Sequence, residues 1–251
     1  MVKEIEGIGC SGACANTDDF SFVMAFQPVV DVEAKSIYGY EALVRGPNGE
    51  GAGQVLAGVT EANRYAFDQA CRVKAISTAA KLGLRQRLNI NFLPSAVYHP
   101  EACLKLTLAA AEEHRFPRDL ITFEFTEDEQ IIDRDHLKAI IKAYRQHNFM
   151  TALDDFGAGF AGLALLADFQ PTYIKIDRCL VSGIDQNLPR QAIICGLMRT
   201  ASMLGMFVVA EGVERVEEVE FLRGQGVRLF QGFLYAKPAI ERLIGADEIV
   251  W

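Results

Sequence analysis

The sequence is short of the features that mark membrane proteins, nucleic-acid binders and the commoner nucleotide-binding enzymes. Its 251 residues contain no apolar run approaching the ~18 to 20 residues of a membrane helix. The N-terminus lacks the basic-then-apolar order of a signal peptide. A soluble, cytoplasmic protein with no membrane partner is therefore expected. Basic charge is also sparse, with 25 Lys and Arg against 33 Asp and Glu and a net charge of -8. With no Lys/Arg cluster to meet a phosphate backbone, duplex nucleic acid is not an expected partner. A small phosphate ligand stays open, because metal ions could reverse the local sign. There is neither a P-loop nor a nucleophile elbow. The four histidines, His99, His114, His136 and His147, fall in segments read as helix or loop. They form no metal-like pair and are expected at the surface.

Cysteine is limited to Cys10, Cys14, Cys71, Cys103, Cys179 and Cys195. A cytosolic chain keeps such thiols reduced. The last four lie in apolar or helical-looking stretches and are expected to be buried. Cys10 and Cys14 sit in a Gly-rich leader, residues 1–18, read as flexible. Two thiols are half a zinc site, so a metal or redox role is open there. The leader's "GIGCSG" fits G-x-G-x-x-G, but no strand precedes it and no acid is placed for a ribose, so it carries no weight.

Half of the residues are hydrophobic, enough for a sizeable core. From residue 19 onward, strand-like and helix-like segments alternate. "FVMAFQPVVD" and "SIYGYEALVR" read as neighbouring strands, a hairpin around Glu33 to Lys35. Then follow "RLNINFL", "LITFEFT", "FMTALDD", "TYIKID", "MFVVAEG" and "VRLFQG". Between them, helices are expected over residues 60–82 with Gly83 as the stop, 95–114, 133–147, 159–168, 189–204 closed by Gly205, and 216–223. Alternation at this length predicts one α/β unit over residues 19–251, a (β/α)8 barrel modified by one antiparallel strand. An open doubly wound sheet is the alternative.

Side chains alternate faces along a strand. Nearly every strand here ends in a polar residue on the face opposite its apolar set: Glu41, Asn91, Glu124, Asp154, Asp155, Lys175, Glu211 and Gln231. In a barrel these would point inward, at the end where barrel active sites form. Five are carboxylates and one is lysine. Crowded carboxylates repel, and burial makes their ionised forms costlier still. Divalent cations relieve this directly, and carboxylates with an amide oxygen suit Mg²⁺ or Mn²⁺. "DDFGAG" at 154–159 fits such a site, with Asp154 bridging two ions, Asp155 on one of them, and the glycines turning the loop tightly. Simpler readings stand beside this one. Asp154 and Asp155 could be turn chemistry or a helix cap. Glu124 could pair with Lys175 structurally. Glu127 and Glu129 read as helix caps after Thr126.

"YEALVRG" at 40–46 contains Glu-Ala-Leu, and "NINFLP", "FEFTE", "DDFGAGF", "IKID", "AEGVE" and "QGF" follow in order. From about Phe26 to Pro238 the chain thus resembles the EAL domain family. Two details depart from its commoner pattern: "GFAGL" at 159–163 in place of a serine pair, and Leu93 before Pro94. The resemblance implies a modified (β/α)8 barrel that hydrolyses cyclic di-GMP to linear 5'-pGpG with two Mg²⁺ or Mn²⁺ ions. It implies one ion on Glu41, Asn91, Glu124 and Asp154, and the other on Asp154, Asp155 and Glu211. It implies that Lys175 orients a catalytic water beside Glu211, that Arg45 and Gln231 touch substrate phosphate or its water, and that Glu127 anchors the loop after Asp155 rather than capping a helix. It further implies a homodimer, paired near that loop. The sensory or cyclase domain usual in the family finds no room at this length; a separate regulatory protein is a candidate partner, and the "GCSGAC" leader is a second candidate for a regulatory element. A catalytically silent receptor or protein-interaction module is the alternative function. Another metal-dependent barrel enzyme would fit the carboxylates but not the motif order.

Overall fold

A computed structural model describes residues 20–97, 99–126, 134–159 and 162–251. The leader with Cys10 and Cys14, and the segment with Glu127 and Glu129, lie outside the described residues. Nine strands and eight helices are described: β1 Val23–Asp31, β2 Ser36–Arg45, α1 Ala52–Leu56, α2 Arg64–Lys81, β3 Arg87–Asn91, α3 Pro100–Glu113, β4 Ile121–Thr126, α4 Arg134–Gln146, β5 Met150–Phe156, α5 Gly162–Asp168, β6 Tyr173–Ile176, α6 Arg178–Val181, α7 Leu188–Leu204, β7 Phe207–Ala210, α8 Val216–Gly224, β8 Leu229–Phe230 and β9 Ala239–Ile240.

β2 to β8 run parallel in sequence order. β1 closes the ring, antiparallel to both β2 and β8. The result is a closed eight-stranded barrel whose first strand runs the opposite way. β1 gives one edge to two partners: Val30 and Asp31 pair with β8, while Ala25 and Phe26 pair antiparallel with β9. Pro28, which has no N–H to give a ladder, falls in the gap between these pairings.

Strand periodicity divides the molecule into two cores. Outward-facing Leu88, Ile90, Phe123, Phe125, Leu153, Ile174 and Ile176 pack under the helices. Inward-facing Val29, Ala152, Tyr173, Val209 and Leu229 fill the lower lumen, with Tyr38 and Met150 against them. The Tyr38 and Tyr173 hydroxyls meet at 2.6 Å, and Arg87 Nε donates to Tyr38 at 3.1 Å. This apolar floor leaves the polar strand ends gathered at the opposite mouth.

Several sequence expectations need correction. Cys71 and Cys103 are buried, but Cys179 and Cys195 are exposed. Cys195 lies on the solvent face of α7, and Cys179 lies in α6 at the rim of the barrel, where its Sγ meets the Gly157 carbonyl at 3.4 Å. The helix expected over 95–114 begins only at Pro100, after a 3₁₀ turn over Pro94–Ala96. α1, which buries none of its side chains, and the four-residue α6 carry too little periodicity to be read from sequence.

Candidate active site

The site is built where β2, β3, β4, β5, β6, β7 and β8 end. Lys175 of β6 stands at its centre, only 1% exposed. Its Nζ lies 2.7 Å from Glu211 Oε1, 2.9 Å from Glu124 Oε2, 3.0 Å from Asp154 Oδ1 and 3.4 Å from Glu41 Oε2. Amides hold these carboxylates from the sides. Asn91 Nδ2 donates to Glu41 Oε1 at 2.7 Å, and Gln231 Nε2 donates to Glu41 Oε2 at 2.7 Å. Asn89 Nδ2 donates to Glu124 Oε1 at 2.8 Å. Above them opens a cavity of about 370 Å³, walled among others by Asp155, Asp177, Arg178, Glu214 and Phe233.

Two adjacent residues of one strand normally face opposite ways. Asp154 and Asp155 converge because β5 breaks its register with β6 between Leu153 and Phe156. Asp155 takes a left-handed conformation, φ +51°, and its N–H donates to Asp154 Oδ1 at 3.0 Å. Such strain in a non-glycine residue collects at functional sites. Gly157, φ +100°, then turns the chain away; a Cβ there would come within 2.3 Å of Leu180 Cδ1.

Burial, with the neighbouring carboxylates, pushes Glu124 and Glu211 well above the ordinary carboxylate range even though Lys175 opposes it. Asp155 is pushed up to about 6, by burial first and then by Asp154 and Asp177. Burial pulls Lys175 down, but Asp154, Glu124, Glu211 and Glu41 together outweigh it and hold its ammonium charged. One lysine thus faces five carboxylates among the described residues.

That donor set fits hard divalent cations. Oxygens of Glu41, Glu124 and Asp154 lie within 4.8 Å of one another, and so do oxygens of Asp154, Asp155 and Glu211. Asp154 belongs to both groups, as a bridging ligand would.

Seven of the eight polar strand ends singled out in the sequence lie at this centre or on its wall, and Asn91, itself exposed, touches it through Glu41. Arg45 does not line the cavity; its Nη1 turns back to the Val44 carbonyl at 2.7 Å. Glu127 lies outside the described residues. Sequence reasoning missed Gln27, which accepts from Gln231 Nε2 at 3.1 Å and donates to the Ala236 carbonyl at 3.0 Å. It also missed the part played by Asn89. Asn89 shares the inward register of β3 with Asn91, and that was the available signal; Gln27 lies opposite Glu41 across the β1–β2 ladder, on a strand where no site residue was found.

Comparison with known proteins gives concordant results. The EAL domain profile matches residues 15–238. The chain is 32% identical over 240 residues to the blue light- and temperature-regulated antirepressor BluF of Escherichia coli, covering 95% of this chain and 59% of BluF. It is 36% identical over 118 residues to the cyclic di-GMP phosphodiesterase PdeL of E. coli, covering 47% of this chain and 33% of PdeL. It therefore spans less than two thirds of these curated relatives. Among solved structures, a standalone EAL protein from Vibrio cholerae O395 in its c-di-GMP bound form is similar at TM-score 0.88 and 50% identity, covering 90% of this chain and 96% of that one. Klebsiella pneumoniae BlrP1 in a manganese/cyclic di-GMP complex is similar at TM-score 0.84 and 36% identity, covering 89% of this chain and 57% of BlrP1. No described helix is long and apolar enough to cross a membrane.

Proposed function

The chain belongs to the EAL domain family, and from that premise we propose that it is a metal-dependent phosphodiesterase hydrolysing cyclic di-GMP to linear 5'-pGpG. The observation that carries this reading is the pair of carboxylate groups joined at Asp154, with Lys175 as their one close cation among the described residues. In this reading Glu41, Asn91, Glu124 and Asp154 hold one divalent cation, Mg²⁺ or Mn²⁺, and Asp154, Asp155 and Glu211 hold the other. Bound cations of this kind neutralise the phosphodiester and acidify water. Lys175 and Glu211, paired at 2.7 Å, would orient the attacking water beside them. Its oxygen bonds to phosphorus, the bond to the 3'-oxygen breaks, that oxygen takes a proton, and a 5'-phosphate remains. Gln231, fixed by Glu41 and Gln27, would meet the phosphate or its water. Arg45, which here donates to the Val44 carbonyl, would do the same. Glu127 keeps its proposed task of anchoring the loop after Asp155. A homodimer and a separate regulatory protein belong to the same reading.

A second reading has one observation in its favour: BluF, similar over 95% of this chain, is named an antirepressor. The chain would then be a cyclic di-GMP receptor or a protein-interaction module. Hydrolysis of cyclic di-GMP by the purified protein decides between them, assayed with Mg²⁺, with Mn²⁺ and with chelator. The enzyme reading expects 5'-pGpG only when metal is present. Tight binding with no product under either metal would favour the receptor.

A further inference from the structure

A second ionic cluster lies behind the site and touches none of its carboxylates. On α2, Asp68 and Arg72 are one turn apart, and their charged groups meet at 2.7 Å with side chains 2% and 0% exposed. Asp68 Oδ1 accepts the Leu93 N–H at 3.0 Å. Arg72 Nη1 donates to the Tyr144 hydroxyl of α4 at 2.7 Å. The guanidinium lies over the rings of Phe92 and Phe123, 5.2 Å from each centroid.

The two ring contacts fall beside site residues. Phe92 follows Asn91, and Phe123 precedes Glu124. Phe92 N–H continues the ladder to the Glu124 carbonyl at 2.9 Å. One residue later the chain turns outward into the Pro94–Ala96 turn and the ladder ends. The Leu93 N–H has no strand to meet, and the Asp68 carboxylate takes it instead.

Stability alone does not account for such a cluster. Burying two ions costs several kcal/mol each, and well-packed apolar residues of like volume would hold α2 against the barrel about as well. What the pair supplies is a fixed acceptor at one point of the backbone. We propose that Asp68, held in place by Arg72, is a positioning residue: it pins the outward turn after β3 and thereby sets Asn91 beside Glu41 and Glu124. The consequence for metal binding rests on the function proposed above. The consequence for the backbone does not.

Two double variants separate the charge from the acceptor. Asp68→Leu with Arg72→Met removes the ion pair and the acceptor and leaves no cavity. Asp68→Asn with Arg72→Met removes the charges and keeps an oxygen for the Leu93 N–H. Each full-length protein is compared with the parent for thermal midpoint, for Mn²⁺ affinity by electron paramagnetic resonance titration, and for exchange of the Leu93 amide. The leucine–methionine variant is expected to melt within a few degrees of the parent, to lose about tenfold or more in Mn²⁺ affinity, as loss of an outer support to a ligand does, and to exchange the Leu93 amide at least about tenfold faster. The asparagine–methionine variant is expected to recover both. Parental affinity and exchange in the leucine–methionine variant would overturn the proposal. So would a tenfold affinity loss in the asparagine–methionine variant, because its acceptor is intact. If neither variant folds, the pair is structural and the proposal is wrong. If the parent itself takes up no Mn²⁺, the proposed function loses its metal site, and Leu93 exchange alone still decides the positioning role.

Discussion

Asp155 holds its side chain in the site by a backbone conformation, φ +51°, that most L residues avoid. Asp and Asn tolerate it better than alanine, and glycine adopts it freely. Replacing Asp155 by either Ala or Gly removes the same carboxylate, so the difference between the two variants isolates the backbone. Asp155→Gly is expected to be more stable than Asp155→Ala by about 1 kcal/mol, the reverse of their order in a helix. Thermal or urea melts of the two variants measure it, and an alanine variant as stable as the glycine one would contradict the strained turn. The sequence shows that two adjacent acids end β5, and that both should face one centre. It does not show the register break that achieves this, because tertiary pairing with β6 imposes it.

Asp31 shows the same kind of local control away from the site. Burial raises its carboxyl, but the Ala34 N–H, Arg228 and the Glu33 N–H outweigh that and hold it below the usual carboxylate range. The contacts are an Asx-type turn at 3.0 Å to both N–H groups and an ion pair at 2.7 Å to Arg228. A depressed carboxylate adds stability above its unfolded pKa, about 3.9, and loses it as pH falls through the lower folded value. Asp31→Asn keeps an acceptor for the turn and loses the charge. Since Arg228 is about half exposed, the expected cost at pH 7 is only about 1 kcal/mol. Urea titrations of both proteins at pH 7, 5 and 3 should give an unchanged gap at the first two values and a shrinking gap at the third. A gap that grows on acidification would reverse the sign and refute the assignment.

At the scale of elements, the members of the strand–helix alternation were legible, even the two-residue β8, and the pieces outside it, α1, α6 and β9, were not. α7 follows Asn187, whose Oδ1 accepts the Arg190 N–H at 3.1 Å, and ends at Gly205, so both of its ends carry sequence signals. β9 is two residues long and has no periodicity to read. The close approach of the loops after β7 and β8 also left no pattern in the sequence. There the Val213 N–H donates to the Gln231 carbonyl at 3.2 Å and the Leu234 N–H donates to the Val213 carbonyl at 3.1 Å. Gly232 lies between them, and a Cβ on it would stand 2.1 Å from the Val213 carbonyl oxygen. Backbone cannot yield as a side-chain tip can. Gly232→Ala is therefore expected to cost about 1–3 kcal/mol and to displace Gln231. The measurement is a denaturation curve beside turnover at saturating cyclic di-GMP. Wild-type values in both would mean that the loops separate without penalty.

The whole barrel places an apolar floor under a carboxylate mouth, and this division was largely readable, since inward-facing positions switch from Val29, Ala152, Tyr173, Val209 and Leu229 to polar residues near the strand ends. What the sequence could not supply was how tightly one lysine would be surrounded. Glu41, Glu124, Asp154 and Glu211 all lie within 3.4 Å of Lys175 Nζ. Repulsion among these carboxylates destabilises the metal-free fold, and cations should reverse the effect. A ligand that binds only the folded state stabilises it by about 2.7 kcal/mol at a hundred times its dissociation constant. Mn²⁺ or Mg²⁺ is therefore expected to raise the melting temperature, and chelator to restore the lower value. Asp154→Asn should separate the two halves of this balance. It removes one of the carboxylates around Lys175 and leaves three to neutralise the ammonium, so the metal-free protein should melt no lower than the parent. Asp154 also belongs to both oxygen groups, so the rise with metal should disappear. Differential scanning fluorimetry of both proteins, with chelator and with each metal, gives these comparisons. If the variant still gained the parental rise with Mn²⁺, the cations would have to bind elsewhere. If it melted well below the parent without metal, Asp154 would be serving the fold as a partner of Lys175 more than the site as a bridge.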